Sequence, residues 1–471
     1  MNRNSCALVC AVTLGCVHAQ LPARAQPLAI VGATVVQPQQ GGEAIVRPNW
    51  TVIVSGERIE AVGPAATVVV PPGALVIDGR GRFVVPGLID AHVHFFQSGN
   101  LFTRPDGADF TKVVPYAQEV ARNRARLAAT FKVWLASGVT SVADVGGPFW
   151  NFEVRDAARA SEMAPRVAVA GPLLSMVSRP QLDLGDPPII EVRSPDEARA
   201  LVRRELARKP DFIKVWFIHR PGDDLAAQEA IVRAAAEEAH AARVRLAVHA
   251  TELVTAKAAL RAGADILVHS VQDVAVDAEF LSLARERSAI CTPTLFVGMG
   301  YRLAFSGQWE PTEAERRLAD PQILTALDPR KLPPDALPDR VRDLMQKRPK
   351  VEPSAVMLAN LRAMRDAGIQ IAMGTDAGNV GTVHGPSVFR EMELMAAAGL
   401  RPAEVLAAAT LGGARVLGLA DQLGTIAPGK LADLVVLDGD PLADLANLSR
   451  IHRVVRGGRI FDPVELIASI R

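Results

Sequence analysis

Six side chains between His92 and Asp376 are of types that bind metal ions or move protons: His92, His94, Lys214, His249, His269 and Asp376. His92 and His94 close the apolar run VVPGLIDAHVHFF, from Val84 to Phe96. Side chains alternate along a strand, so residues two apart point the same way, about 6–7 Å from each other. Two neutral imidazoles placed like this can share one divalent cation. Asp90, two residues earlier on the same face, stands where it could orient a metal-binding histidine. An isolated His-x-His is more often a pair of structural histidines, so the other candidates decide the matter. His249 ends RLAVHATE, His269 ends ADILVHS and Asp376 ends IQIAMGTDAG. Four histidines and an aspartate at the ends of apolar runs share a location that packing alone does not require.

Lys214 lies inside the apolar run DFIKVWFI. A desolvated ammonium is costly unless it is paired or its amine changes chemically. Asp144 and Glu252 are candidate ion-pair partners. The alternatives are a modified amine or capture by the metal site.

These residues need elements that bring them together. Strand-like runs end near His94, Asp144, Gly171, Phe217, His249, His269, Phe296 and Asp376, with amphipathic helical segments between them. One such segment opens on Ser194, Pro195 and Glu197, a helix-start signature, and another stops at Gly263. Eight strand–helix units predict an α/β fold, a (β/α)8 TIM barrel whose strand ends share one mouth. The uneven spacing keeps an open doubly wound sheet as the alternative. Both chain ends carry short β-rich runs broken by Gly and Pro, such as WTVIVSGERIEAVGP and IHRVVRGGRIFD. They predict a small β-sandwich built from 26–85 and 421–471 around a barrel over 86–420. The connection from Phe296 to Pro353 is long for a barrel loop and carries Tyr301, Phe305 and Trp309, so it is expected to form a lid or substrate wall.

The chain of 471 residues has a net charge of +1 and no Lys/Arg block, which argues against a nucleic-acid partner. Residues 1–25 read as an export signal: Arg3, the apolar run CALVCAVTLGCV, and small-residue cleavage sites ending at Ala19 and Ala25. That run is too short to span a bilayer. A soluble periplasmic or secreted chain, without stable membrane insertion, is therefore expected. Cys6, Cys10 and Cys16 fall in the leader, which leaves Cys291 as a packed core thiol.

Taken together, VVPGLIDAHVHF, FIKVW, VHATE, LVHS, GTDAG and the returning segment LGTIAPGKLADLVVLDGDPLADL resemble the metal-dependent amidohydrolase superfamily. The likeness is to its two-metal, carboxylated-lysine type, including imidazolonepropionase-like and Xaa-Pro dipeptidase-like members. The resemblance implies that His92, His94 and Asp376 hold a more buried ion and His249 and His269 a more exposed one. It implies that Lys214 carries a CO2-derived carbamate bridging both. Zinc suits such N/O donors, with Mn, Fe or Co as alternatives. The implied reaction is hydrolysis of a C–N bond in a small amide, such as an N-acyl amino acid or dipeptide. A metal-bridging hydroxide would attack, with Asp376 as general acid and base. A homo-oligomer is a further implication.

Two other readings stand beside it. HATE places Glu252 three residues after His249, resembling the His-x-x-Glu of one-metal deaminases and cyclic-amide hydrolases, where the glutamate shuttles protons. An inactive barrel acting as a binding protein would have lost ligands, yet all six are present. For substrate contacts the expected residues are His384, Tyr301, His219 and Arg220, the last through a bidentate grip on a carboxylate. His240 and His452 are expected to be structural.

Overall fold

The computed structural model describes residues 26–39 and 41–471; the leader expected over 1–25 lies outside the described residues. The short apolar runs of the middle segment become parallel strands buried on both faces, which is why they read as continuous apolar runs rather than alternating ones. In order they are Leu88–Val93, Val139–Asp144, Arg166–Val169 continuing as Leu173–Ser175, Phe212–Trp216, Arg245–His249, Ile266–Val268, Ile290–Thr292 and Gln370–Ile371. Neighbours pair in parallel around the series.

The ring then closes. Beyond Ile371 the chain continues beside the first strand. The N–H of Ala91 donates to the Met373 carbonyl (2.9 Å), that of Asp376 to His92 (2.7 Å) and that of His94 to Ala377 (2.8 Å). Eight strands in a closed parallel ring are a barrel, so the open-sheet alternative falls. Besides the short eighth strand, the third and seventh strand boundaries differ from the sequence reading. The third strand runs past Gly171, which breaks it with a φ of +121° where an added Cβ would meet the Phe152 ring at 3.0 Å. The seventh strand stops at Thr292, and Phe296 instead begins a helix, Val297–Phe305. Helix starts follow their chemistry: the Ser194 side chain accepts from the Glu197 N–H at the head of Pro195–Leu206, and Gly263 ends Leu253–Ala262 with φ +117°.

Strands from both chain ends form one eight-stranded sheet. Its seam pairs Phe83–Pro86 antiparallel with Leu434–Leu437, with Val84 opposite Val436. The edge strand Arg58–Pro64 is tied back by hydrogen bonds between Ile59 and both Lys430 (2.9 Å) and Gly429 (2.8 Å). The sheet thus curls over a core that includes Leu28, Ile30, Val52, Ile77, Leu434 and Val455. Phe83–Pro86 leads directly into the first barrel strand, which fixes the start of the site against this platform.

The long seventh connection is ordered. It holds the helices Val297–Phe305, Glu313–Leu318, Pro321–Thr325 and Asp339–Lys347. Phe305, Trp309, Leu327 and Val341 share a core with Leu101 and Val383, which follow the first and eighth strands. Trp309 Nε1 also donates to the Gly381 carbonyl (2.9 Å). The insertion is therefore clamped to the loops that carry the candidate ligands. Among the described residues no helix is long and apolar enough to cross a membrane.

Candidate metal and active site

Strand pairing in register brings the six residues to one end of the barrel, around a cavity of about 430 Å³ whose lining includes all of them. His92 Nε2 lies 3.3 Å and His94 Nε2 3.2 Å from Asp376 Oδ1. These three offer ligand atoms within 4.8 Å of one another, and all three residues are buried. The His269 ring stands 4.7 Å from that of His92 and 4.4 Å from that of His249, centroid to centroid. Lys214 is 1 % exposed.

The surroundings hold the donors in place. Asp90 is fully buried. Its Oδ1 accepts the N–H groups of His92 (3.1 Å) and Thr375 (3.0 Å), and its Oδ2 accepts the Thr375 hydroxyl (2.5 Å). One carboxylate thereby joins the strand carrying His92 to the segment carrying Asp376. Burial pushes the Asp90 carboxyl up to about 7, against the pull of those hydrogen bonds. His94 Nδ1 donates to the Gly146 carbonyl (2.6 Å), which leaves the Nε2 lone pair directed at Asp376. His269 Nδ1 is held by Thr294 Oγ1 (2.7 Å). Partners of this kind fix tautomer and ring orientation in metal sites.

Backbone strain concentrates here as well. His269, Thr294 and Asp376 have φ of 76°, 46° and 60° although none is glycine. Such conformations persist only where the surroundings enforce them, and they cluster at functional sites. Gly378, at φ +105°, lets the loop after Asp376 approach the first strand; a Cβ there would sit 2.4 Å from the His94 carbonyl oxygen.

The electrostatics suit a cation-binding donor set. Burial, followed by neighbouring positive groups, holds His92, His249 and His269 well below the usual histidine range, so each is a neutral imidazole with a lone pair to offer. Both ring nitrogens of His92 and Nζ of Lys214 are buried without a hydrogen-bond partner. Buried polar groups almost always find partners, and orphaned nitrogens facing a carboxylate fit a metal-binding site. Burial also lowers the Lys214 amine to about 7, with Asp376 opposing the shift.

Several expected contacts do not form. Lys214 forms no ion pair with Asp144, whose carboxylate accepts from Asn151 Nδ2 (2.6 Å) and the Gly146 N–H (3.2 Å). Nor does it pair with Glu252, which sits at the start of the helix Leu253–Ala262 and accepts the Thr255 hydroxyl (3.0 Å). Glu252 does not itself line the metal cavity, although its neighbour Thr251 does. His219 turns to Gln228 Oε1 (2.8 Å), and the Arg220 N–H closes a turn on Asp223 (2.8 Å). Neither lines the cavity. His384 packs behind it: Nε2 reaches the His94 carbonyl (3.2 Å), and the ring stacks on Phe95 with centroids 5.7 Å apart. It lines a separate cavity of about 340 Å³ that shares no lining residue with the first. Of the four expected substrate contacts, Tyr301 alone faces the metal cavity. His240 pairs with Asp265 (2.7 Å) away from the site. Cys291 is a buried thiol pushed up to about 12 by burial.

Sequence reasoning missed several cavity residues, Asn379, Arg104, Arg302 and Arg340 among them. Asn379 donates from Nδ2 to Asp376 Oδ1 (2.7 Å), while its Oδ1 accepts from the Tyr301 hydroxyl (2.7 Å) and Arg104 Nη1 (3.0 Å). Those two donors fix which way the amide points. Asn379 lies three residues after Asp376, and that proximity was a usable signal. Arg104 and Arg340 line the cavity from the first connection and the insertion. No local pattern announces either one.

The sequence model of the amidohydrolase family matches residues 83–461, and the chain belongs to that family, whose members are metal-dependent hydrolases acting on C–N bonds. A solved structure of a candidate prolidase from Bifidobacterium longum is 26% identical, covers 95% of this chain and 100% of its own, and superposes with a TM-score of 0.68. Curated relatives match over shorter stretches. An adenine deaminase of Paracoccus denitrificans is 52% identical over 56 residues, 12% of this chain and 9% of its own. An imidazolonepropionase of Symbiobacterium thermophilum is 30% identical over 135 residues, 25% of this chain and 30% of its own. The chain thus spans less than a third of the length of the curated relatives it matches.

Proposed function

We propose that this chain is an exported two-metal amidohydrolase that hydrolyses the amide bond of a small substrate, such as an N-acyl amino acid or a dipeptide. The observation that carries the reading is Lys214, a fully buried amine with no hydrogen-bond partner, among three imidazoles and facing Asp376. An amine lowered to about 7 is substantially unprotonated at neutral pH, which is the form that adds CO2 to give a carbamate. His92, His94 and Asp376 would hold one ion, His249 and His269 the other, and the Lys214 carbamate would bridge them. Zinc suits these donors best. Bound divalent ions would supply the positive charge that acidifies a water and polarises the scissile carbonyl.

The chain's own residues do the rest. Asp376 Oδ1 is tied to Asn379, which fixes the carboxylate plane. Its Oδ2 is left to take the proton of an attacking water and return it to the leaving amine. Tyr301, whose hydroxyl donates to Asn379, lines the same cavity from the insertion. The one-metal deaminase reading draws on Glu252, whose carboxylate accepts the Thr255 hydroxyl (3.0 Å).

The test is Asp376→Asn in protein loaded with zinc and bicarbonate, with metal content measured alongside turnover. N-acyl amino acids and dipeptides are assayed next to adenine and cyclic amides. A loss of about 10²–10⁴-fold in amide hydrolysis is expected. Unchanged amide turnover in the variant, or turnover of adenine alone by the wild type, would overturn the reading.

A further inference from the structure

The walls of the metal cavity carry three arginines, Arg104, Arg302 and Arg340, against one carboxylate, Asp376. Their states differ. The Arg104 guanidinium is fully engaged: Nε and Nη2 grip Asp106 at 2.7 Å each, and Nη1 reaches Asn379. Asp106 also lies 3.5 Å from Arg179, so this one buried carboxylate serves two cations. Arg302 donates from Nη2 to the Glu352 carbonyl (3.1 Å), and Arg340 from Nη1 to the Gly107 carbonyl (3.1 Å). Each keeps other N–H donors, and neither forms an ion pair with a carboxylate among the described residues. Both are exposed at the rim while the metal-binding groups form the floor.

Both arginines come from the seventh connection, Arg302 from Val297–Phe305 and Arg340 from Asp339–Lys347. The aromatic and aliphatic core of that insertion anchors them on the loops around the floor, and Arg340 lies over the Phe305 ring, 5.7 Å from its centroid. A guanidinium on a backbone carbonyl keeps its full charge, and its planar donors match a carboxylate. A rim with surplus positive charge also draws anions towards the floor.

Resting on the hydrolase reading above, we infer that Arg302 and Arg340 form the rim that recognises the free carboxylate on the amine-side residue of the substrate. The acyl side would pack on Trp216, Leu173 and Ile189, which line the opposite part of the cavity. This moves carboxylate recognition from Arg220, which does not line the cavity, to the insertion.

The test compares N-acetyl-L-alanine with N-acetyl-L-alanine amide on metal-loaded wild type, Arg340→Ala, Arg302→Ala and the double variant. Arg340→Lys and circular dichroism control for charge and folding. The wild type is expected to favour the acid in kcat/KM, and each single alanine variant to lower that preference about 10- to 100-fold, mainly through KM, with a smaller loss on the amide. Hydrolysis without preference for the acid, or equal losses on both compounds, would overturn the rim while leaving the hydrolase intact. If neither compound is turned over, a calorimetric titration with the same pair reads recognition alone. Arginine-dependent binding of the acid supports the rim whether or not these two compounds are substrates, and no binding of the acid overturns it.

Discussion

Replacing Lys214 by methionine should stabilise the metal-stripped protein. Methionine is close to lysine in length, fills the same buried site and carries no charge. Burial takes the Lys214 amine from 10.5 to about 7. At about 1.4 kcal/mol per pH unit, that difference corresponds to a destabilisation of roughly 4 to 5 kcal/mol at pH 7. The sign follows from the direction of the shift. A lowered lysine value means that the folded chain favours the neutral amine, while the unfolded chain stays protonated up to 10.5. The penalty is therefore complete below pH 7, shrinks as pH rises from 7 to 10.5, and vanishes above that. Urea unfolding of metal-stripped wild type and Lys214→Met, in CO2-free buffer, checks this at pH 7 and near pH 10. The variant should be more stable at pH 7, with the gap closing on the alkaline side. A variant several kcal/mol less stable than wild type at pH 7 would refute the reasoning, because that is the outcome of removing one partner of a buried ion pair.

Two further outcomes follow from the contacts. Asp90→Ala leaves the His92 and Thr375 N–H groups without their acceptor, so chelator competition should show metal affinity falling about 10- to 100-fold. Asp90→Asn should recover most of it, since its amide oxygen can still accept and the Thr375 hydroxyl can rotate to accept from the new NH2. Glu252→Gln should change kcat and KM for amide hydrolysis by less than about threefold, because its carboxylate faces Thr255 rather than the cavity; a loss of about 10² or more would restore it as a proton shuttle.

The floor of the site was legible because metal ligands obey a local rule. The four histidines and Asp376 lie at or just past the ends of apolar runs and Lys214 lies inside one, and a parallel barrel gathers those ends at one face, so spacing in the sequence became proximity in space. The β seam was legible for a similar reason: both ends carry the same alternation of β-branched residues with Gly and Pro. The rim was not. His384 looked like a pocket residue because it follows the eighth strand, yet the tight loop at Gly378 carries the chain behind His94 and leaves the ring against Phe95. Arg220 also follows a strand, but its loop folds on Asp223. Arg340 reaches the cavity from a helix nearly fifty residues into an insertion, a distance that no periodicity encodes. Side-chain direction in loops depends on docking, and docking is a property of the whole core rather than of the local sequence.

Lys214 is proposed to belong to a metal site rather than to serve as a structural lysine. The most direct measurement is metal per chain in purified protein supplied with zinc and bicarbonate, for wild type and Lys214→Met. About two ions per chain are expected in the wild type, falling towards one in the variant while the fold is kept. One ion per chain in both proteins would contradict that assignment and return the site to a single metal held by His92, His94 and Asp376.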